Sequence, residues 1–376
     1  MKKAAIVILA VLAVSFVSCR TLKKQLTVKT PETADEQKSA EKDAQGMYED
    51  GKYDDAISYL KALLAQNPKN PVYWGQLGSA YAQMNNFRDS VAALKEAIKL
   101  DPKNIKAMYN LSIVYSESGS HKEAQKVVEQ ALKLNPKNPM LQASLGNVLI
   151  DEEKYDKAKK VYEQIVEAKP DFDVGHFNLG VINFEEKNLD AAKKNYEEVL
   201  KINPADSSAK ENLAAIHILK NNFEDAVDYL LDVINSSPGD DTVLENAYYN
   251  LGIAYLRLKK YKESLEAFES AINIEPWDMA AYVNAAIISE ELGLKQKAIK
   301  YWQKYDRLLP VNKRKKEIQE RLKRLGVTPA AQAAPVAGSP AGKPDVKAAA
   351  GAKAAPAISV SPAADTKNAK AGGDNK

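Results

Sequence analysis

Proline returns along this chain at Pro68, Pro102, Pro136, Pro170, Pro204, Pro238, Pro276 and Pro310, at spacings of 34, 34, 34, 34, 34, 38 and 34 residues. Proline has no amide hydrogen, and its ring blocks the preceding helical turn, so each of these points stops a helix. A fixed period of this size means one supersecondary unit copied in tandem. A unit so short cannot bury its own apolar face and must stack on its neighbours. With proline at position 32, the units are 37–70, 71–104, 105–138, 139–172, 173–206, 207–240, 245–278 and 279–312.

The second unit shows the internal pattern most fully. Trp74, Leu77, Gly78 and Tyr81 stand at positions 4, 7, 8 and 11, spacings that place them on one helical face. A second apolar stripe falls at positions 20, 24 and 27, as in Ala56, Leu60 and Leu63, or Ser264, Phe268 and Ala271. Turn-forming residues lie between the stripes: Gly51, Asn85 and Asn86, Gly119, Asn221 and Asn222. Each unit therefore reads as helix A, turn, helix B, turn. Small residues at position 8 (Gly78, Gly146, Gly180, Gly252) and alanine at position 20 predict close approach of the two helices. Four extra residues, Asp241 to Leu244, precede the seventh unit; either a longer helix capped by Asp240 or a longer turn accommodates them.

These residues resemble the tetratricopeptide repeat family over residues 37–312. The resemblance implies an all-α, right-handed superhelical solenoid of eight helix-turn-helix repeats, with helix A lining the concave side. The first unit departs most, with Asp43 and Ala44 in place of the Leu-Gly pair, which suits a terminal cap. Residues 313–326 read as a basic capping helix with the stripe Ile318, Leu322, Leu325. Residues 327–376 contain no aromatic residue, while 17 are alanine and six each proline and lysine; a segment so poor in buriable surface reads as disordered.

The N-terminus reads as a targeting segment. Lys2 and Lys3 precede an apolar run from Ala4 to Val17, too short for a membrane span but right for a signal peptide ending at residue 19. Phe16-Val17-Ser18-Cys19 resembles a bacterial lipobox, with Phe16 where the motif usually has leucine, and implies lipidation of Cys19. Ordinary cleavage after Ser15 and an uncleaved anchor are the alternatives. The position of the chain's one cysteine favours the lipid anchor, and Arg20, not aspartate, favours the outer membrane over the inner. Residues 20–36, polar and without periodicity, read as a tether.

Composition excludes some functions. The 53 basic and 50 acidic residues nearly cancel, which argues against a nucleic-acid binder. One cysteine makes neither an internal disulfide nor a cysteine metal site. The three histidines (His121, His176, His217) lack metal-ligand spacing, and His176 and His217 occupy packing slots. Asp171-Phe172-Asp173 follows a repeat proline and reads as a helix N-cap. No catalytic residue, metal or cofactor is expected.

The concave face carries the functional expectation. Position 6 is Asn110, Asn178, Asn212, Asn250 and Asn284. An amide donates and accepts, so a stack of them suits an extended peptide backbone, as in some members of the family; the same amides could instead satisfy helix groups. Tyr109, Phe177 and Tyr249 at position 5 would supply apolar contacts. Acidic residues ending the A helices, Glu290 and Glu291 among them, read as a solvated face. The expected function is a non-enzymatic scaffold of the bacterial cell envelope, exported and anchored to a membrane through Cys19. Its partners would be envelope proteins or extended peptide segments. The alternative is a glycan- or peptidoglycan-binding accessory module using residues such as Trp277.

Overall fold

The computed structural model describes residues 33–309 and 316–327. The signal segment, Cys19, residues 20–32 of the tether and nearly all of the C-terminal tail lie outside them. The described residues form seventeen helices and no strand, and the chain divides into two compact units after Lys154. The first unit holds α1 (Ala34–Glu49), α2 (Tyr53–Gln66), α3 (Pro71–Gln83), α4 (Phe87–Leu100), α5 (Ile105–Glu117), α6 (His121–Leu134) and α7 (Pro139–Asp151). The second holds α8 (Tyr155–Ala168), α9 (Asp173–Glu185), α10 (Leu189–Ile202), α11 (Ser207–Leu219), α12 (Phe223–Ser236), α13 (Asp241–Arg257), α14 (Tyr261–Ile274), α15 (Met279–Glu291), α16 (Lys295–Leu308) and α17 (Lys316–Arg324). Within each unit every helix packs on the next, and A helices also touch A helices, as α1 with α3, α3 with α5 and α11 with α13.

Caps fix where the helices begin. Position 34 is the N-cap of the following A helix: Asn70, Asn104, Asn138, Asp206, Asp240 and Asp278 each accept a backbone N–H from the first turn. The Asp171-Phe-Asp173 expectation needs correction here. Phe172 itself is the N-cap of α9 and makes no side-chain cap bond, while Asp173 is the first helical residue. Thr33 to Glu36, expected in the tether, instead form the cap and first turn of α1. The Thr33 hydroxyl accepts from the Glu36 N–H at 3.1 Å and the Glu36 carboxylate accepts from the Thr33 N–H at 3.1 Å, a Thr-x-x-Glu capping box. The four extra residues before the seventh unit lengthen α13 to 17 residues against 13 for α11, with Asp240 as its cap.

The A-to-B turn is the same in all eight copies. Position 15 has positive φ throughout: Gly51, Asn85, Gly119, Glu153, Lys187, Asn221, Lys259 and Gly293 lie between 55° and 76°. Glycine and asparagine enter this region readily, whereas Glu153, Lys187 and Lys259 are held there against their preference. The B-to-A turn is pinned from position 4. The Trp74 indole N–H donates to the Pro68 carbonyl at 2.8 Å, the Gln142 amide to Pro136 at 3.0 Å, and His176 sets Nε2 2.9 Å from Pro170 O.

Helix A meets helix B through positions 8 and 24. A Cβ added to Gly78 would lie 2.5 Å from Leu94; at Gly180 it would meet the Tyr196 ring at 2.7 Å, and at Gly252 the Phe268 ring at 2.8 Å. Tyr196 and Phe268 are fully buried and have nowhere to move. Where position 20 is serine, its hydroxyl uses the close approach: Ser90 donates to Gly78 O at 2.7 Å and Ser264 to Gly252 O at 2.6 Å.

At the C-terminal end, α17 buries Ile318 and Leu322 on the cluster formed by α11 to α16. Its Arg321 guanidinium stacks over the Trp302 ring at 5.2 Å. Glu290 accepts from the Trp302 indole and lies 3.4 Å from Arg321. Glu290 is therefore tied into the cap rather than solvated as expected, because two donors from α16 and α17 converge on it.

Gly180→Ala should lower stability by about 1–3 kcal/mol, since the Tyr196 ring must shift in a closed interior. Lys187→Gly, at an exposed position with φ 61°, should raise it by roughly 0.5–1 kcal/mol. Equilibrium denaturation of the two variants checks both signs, and opposite signs at sites so near in sequence rule out a general effect of the region.

Candidate functional site

A cleft of about 320 Å³ opens in the first unit, lined by α1, α2, α3 and α5 with the cap before α5. Its apolar lining is Ala44, Ala56, Leu60, Ala80 and Ala107, all buried, together with the exposed Val72. Polar groups are placed by the A helices: Gln45 and Tyr48 from α1, Gln76 and Ser79 from α3, Lys106 and Asn110 from α5. The Asn110 amide donates to Ser79 Oγ at 2.8 Å, and that hydroxyl donates to Gly75 O at 3.0 Å. The Gln76 amide donates to the Glu41 carbonyl at 2.9 Å, while its Oε1 is buried with no partner. The Lys106 side chain is exposed at the edge. An apolar floor with acceptors, donors and one cation around it suits a polypeptide segment, whose backbone offers both kinds of partner.

The cleft exists because position 5 of the second repeat is glycine. A Cβ at Gly75 would find nothing within 4 Å, unlike one at Gly78 a turn later. The other position-5 candidates lie elsewhere. Phe177 and Tyr249 are 4% and 3% exposed, packed edge-on against Tyr196 at 5.4 Å and Phe268 at 5.5 Å. The expectation that they contact a partner is corrected by this burial: the ring that position 5 projects meets the ring at position 24 of its own hairpin. Tyr109 is half-buried and does not line the cleft.

The asparagines divide in the same way. Asn110 lines the cleft. Asn178, Asn212 and Asn284 are buried and donate their amide N–H to the carbonyl one turn back, at Val174 (2.9 Å), Ser208 (2.8 Å) and Ala280 (3.1 Å). Asn250 is buried too, with its Oδ1 unpartnered. These four do not form a ladder open to a peptide; where A helices stack tightly, the nearest acceptor is the helix's own carbonyl. Sequence reasoning missed Gly75 and Lys106 as cleft residues. A glycine at a mid-helix position outside the position-8 pattern was the available signal.

Of the histidines, His217 is buried with Nδ1 3.1 Å from Asp225 Oδ2 and His121 Nδ1 lies 3.8 Å from Asp151 Oδ2. No group of three or more His, Cys, Asp or Glu is placed to hold a metal among the described residues. Among them, too, no helix is long and apolar enough to cross a membrane.

Comparisons with known proteins agree with this geometry. Residues 33–173 match the family described as cytochrome c-type biogenesis protein H TPR domain, and residues 183–248 and 245–278 match tetratricopeptide repeat families. The last of these has the bounds of the seventh unit. No curated protein sequence matches the chain. Among solved structures, a chain of the APC/C hetero-tetramer Cut9–Hcn1 superimposes with a TM-score of 0.54 at 14% identity, covering 73% of this chain and 52% of that one. This chain thus spans about half the length of that relative. PilF of Pseudomonas aeruginosa gives a TM-score of 0.49 at 19% identity, covering 59% of this chain and 97% of that one. A tetratricopeptide repeat protein from Parabacteroides merdae gives 0.46 at 17%, covering 68% and 98%. The small residue at position 8, the proline at 32 and the three family matches give one conclusion: this chain is a tetratricopeptide-repeat protein.

Proposed function

We propose that this chain is a non-enzymatic scaffold of the bacterial cell envelope that holds partner proteins by an extended segment seated in the cleft of the first unit. The cleft beside Gly75, apolar beneath and polar around, is the observation that carries this reading. Tetratricopeptide repeats serve protein–protein interaction in general, and the signal-like N-terminus with its lone cysteine supports an exported, lipid-anchored chain, at the outer membrane where one exists. Asn110 would meet the segment directly, and Lys106 would attract an acidic group on it.

A glycan-binding role is the second reading. It is favoured by Trp277, which is 44% exposed, although Lys304 lies over that ring at 5.1 Å and occupies one face of it.

Gly75→Leu tests the cleft. The side chain enters open space, so folding stability should hold or rise by roughly 0.5–1 kcal/mol as glycine leaves a helix. Recovery of the partner from solubilised envelope should fall at least tenfold. Undiminished recovery by a well-folded Gly75→Leu protein would remove the cleft from the proposal. Binding of wild type to sedimented peptidoglycan, lost on Trp277→Ala, would favour the glycan reading instead. For the anchor, intact-mass measurement of the mature protein should show acyl mass on Cys19 at the N-terminus. A mature chain beginning at Phe16 without such mass would establish ordinary cleavage.

A further inference from the structure

Position 5 of the sixth repeat holds a carboxylic acid where the repeats on either side hold packed aromatic rings. Glu211 follows Phe177 and precedes Tyr249 in that series, and like them it is buried, with 7% of its surface exposed. Its Oε1 has no hydrogen-bond partner. Nothing about packing calls for an acid here, and a buried unpaired carboxylate is among the more destabilising groups a helix stack can hold.

The charges around it make the oddity sharper. Asp240, exposed at the cap of α13, and Glu245, half-buried at the fifth residue of that helix, both act on Glu211, and both are acids that disfavour its ionised form. Glu245 in turn feels Asp278, the N-cap of α15, and Glu275, the C-cap of α14. The neighbouring cation, Lys210, is committed elsewhere, to Asp232 of α12 at 2.7 Å. Asp240 and Asp278 have structural work as caps, accepting from Val243 and from Ala280 and Ala281. Glu211 has none. Burial first, and the neighbouring acids second, push the Glu211 carboxyl up to about 7, and Glu245 likewise.

Three acids of decreasing exposure therefore act together here, Asp240 exposed, Glu245 half-buried and Glu211 buried, and among the described residues no basic side chain is paired with the last. We propose that this acidic cluster in the second unit, with the unpartnered Glu211 carboxyl at its buried end, is a binding site for the cationic head of an arginine side chain on a partner polypeptide. The guanidinium is weakly hydrated and pairs bidentately with a carboxylate, which makes it the cation that loses least on pairing with a buried acid. The site is independent of the cleft beside Gly75, which lies in the other unit and would attract acidic groups through Lys106. A partner reading both would carry basic and acidic stretches.

The probe is a short alanine peptide carrying spaced arginines, set against its citrulline counterpart, which keeps shape and removes charge. Calorimetry on the full chain should show the arginine peptide binding at least tenfold more tightly. A bound cation lowers the proton affinity of Glu211. Binding near neutral pH should therefore release a fraction of a proton, seen as a buffer-dependent heat, and affinity should rise between pH 6 and 8 as the carboxyl ionises. Glu211→Gln should lose about tenfold in affinity and abolish the proton release, while melting no earlier than wild type because an unpaired buried acid has gone. Should that variant fail to fold, Glu245→Gln, at a half-buried position, should show a smaller loss of affinity and a smaller proton release. Equal binding of the arginine and citrulline peptides overturns the proposal, as does wild-type binding and proton release by Glu211→Gln or, in its place, by Glu245→Gln. Loss of partner recovery with Gly75→Leu leaves these results unchanged, so the two sites fail or stand separately.

Discussion

Everything in this array depends on how closely helix B can lie on helix A, and that is decided by one contact, between position 8 and position 24. A glycine at 78, 180 or 252 leaves a hollow that a large side chain fills from across the hairpin: Leu94, Tyr196 and Phe268. The pairing is one of volume. In the third unit serine stands at position 8 and the smaller valine at position 24, as Ser112 and Val128, both fully buried. Interiors packed at crystal-like density feel a single methyl group, so each hairpin has little freedom to vary this pair except jointly. Serine at position 20 adds a hydrogen bond that forms only when the helices are this near.

Once the hairpin is set, the turns follow and the functional surface is what remains. The left-handed residue at position 15 reverses the chain, and the side chain at position 4 holds the carbonyl of the preceding proline. Position 5 then decides the character of each repeat. An aromatic ring there reaches position 24 and closes the surface, as Phe177 and Tyr249 do. Glycine leaves a cleft, as at Gly75, and glutamate leaves a buried acid, as at Glu211. One slot thus gives packing, a groove or a buried ionisable group, according to the residue in it.

The cap at the C-terminal end uses charge for a different purpose. The apolar stripe of α17 covers the last hairpin, and the Trp302–Glu290–Arg321 cluster fixes its seat. A cation over an indole and a shared carboxylate hold orientation well, since both demand particular geometry, whereas the burial of Ile318 and Leu322 is not directional.

The sequence by itself determined the helical hairpins, their period and the residues that space them. Prolines, position-8 glycines and Asn or Asp caps act through local sterics and hydrogen bonds, which need no knowledge of distant residues. The capping box at Thr33 was legible in the same way, although it lay within a polar stretch that read as a tether. Position 15 was legible only where glycine or asparagine occupies it; at Lys187 and Lys259 the surrounding hairpin imposes the conformation, and the side chain carries no sign of it. The orientation of positions 5 and 6 belonged wholly to the tertiary structure. Asn110 and Asn178 stand at the same position, yet one lines a cleft and the other bonds Val174 in its own helix, because what each faces is set by the neighbouring repeats. A repeat pattern specifies which face a residue is on; how much room that face has is fixed only when the next helix is in place.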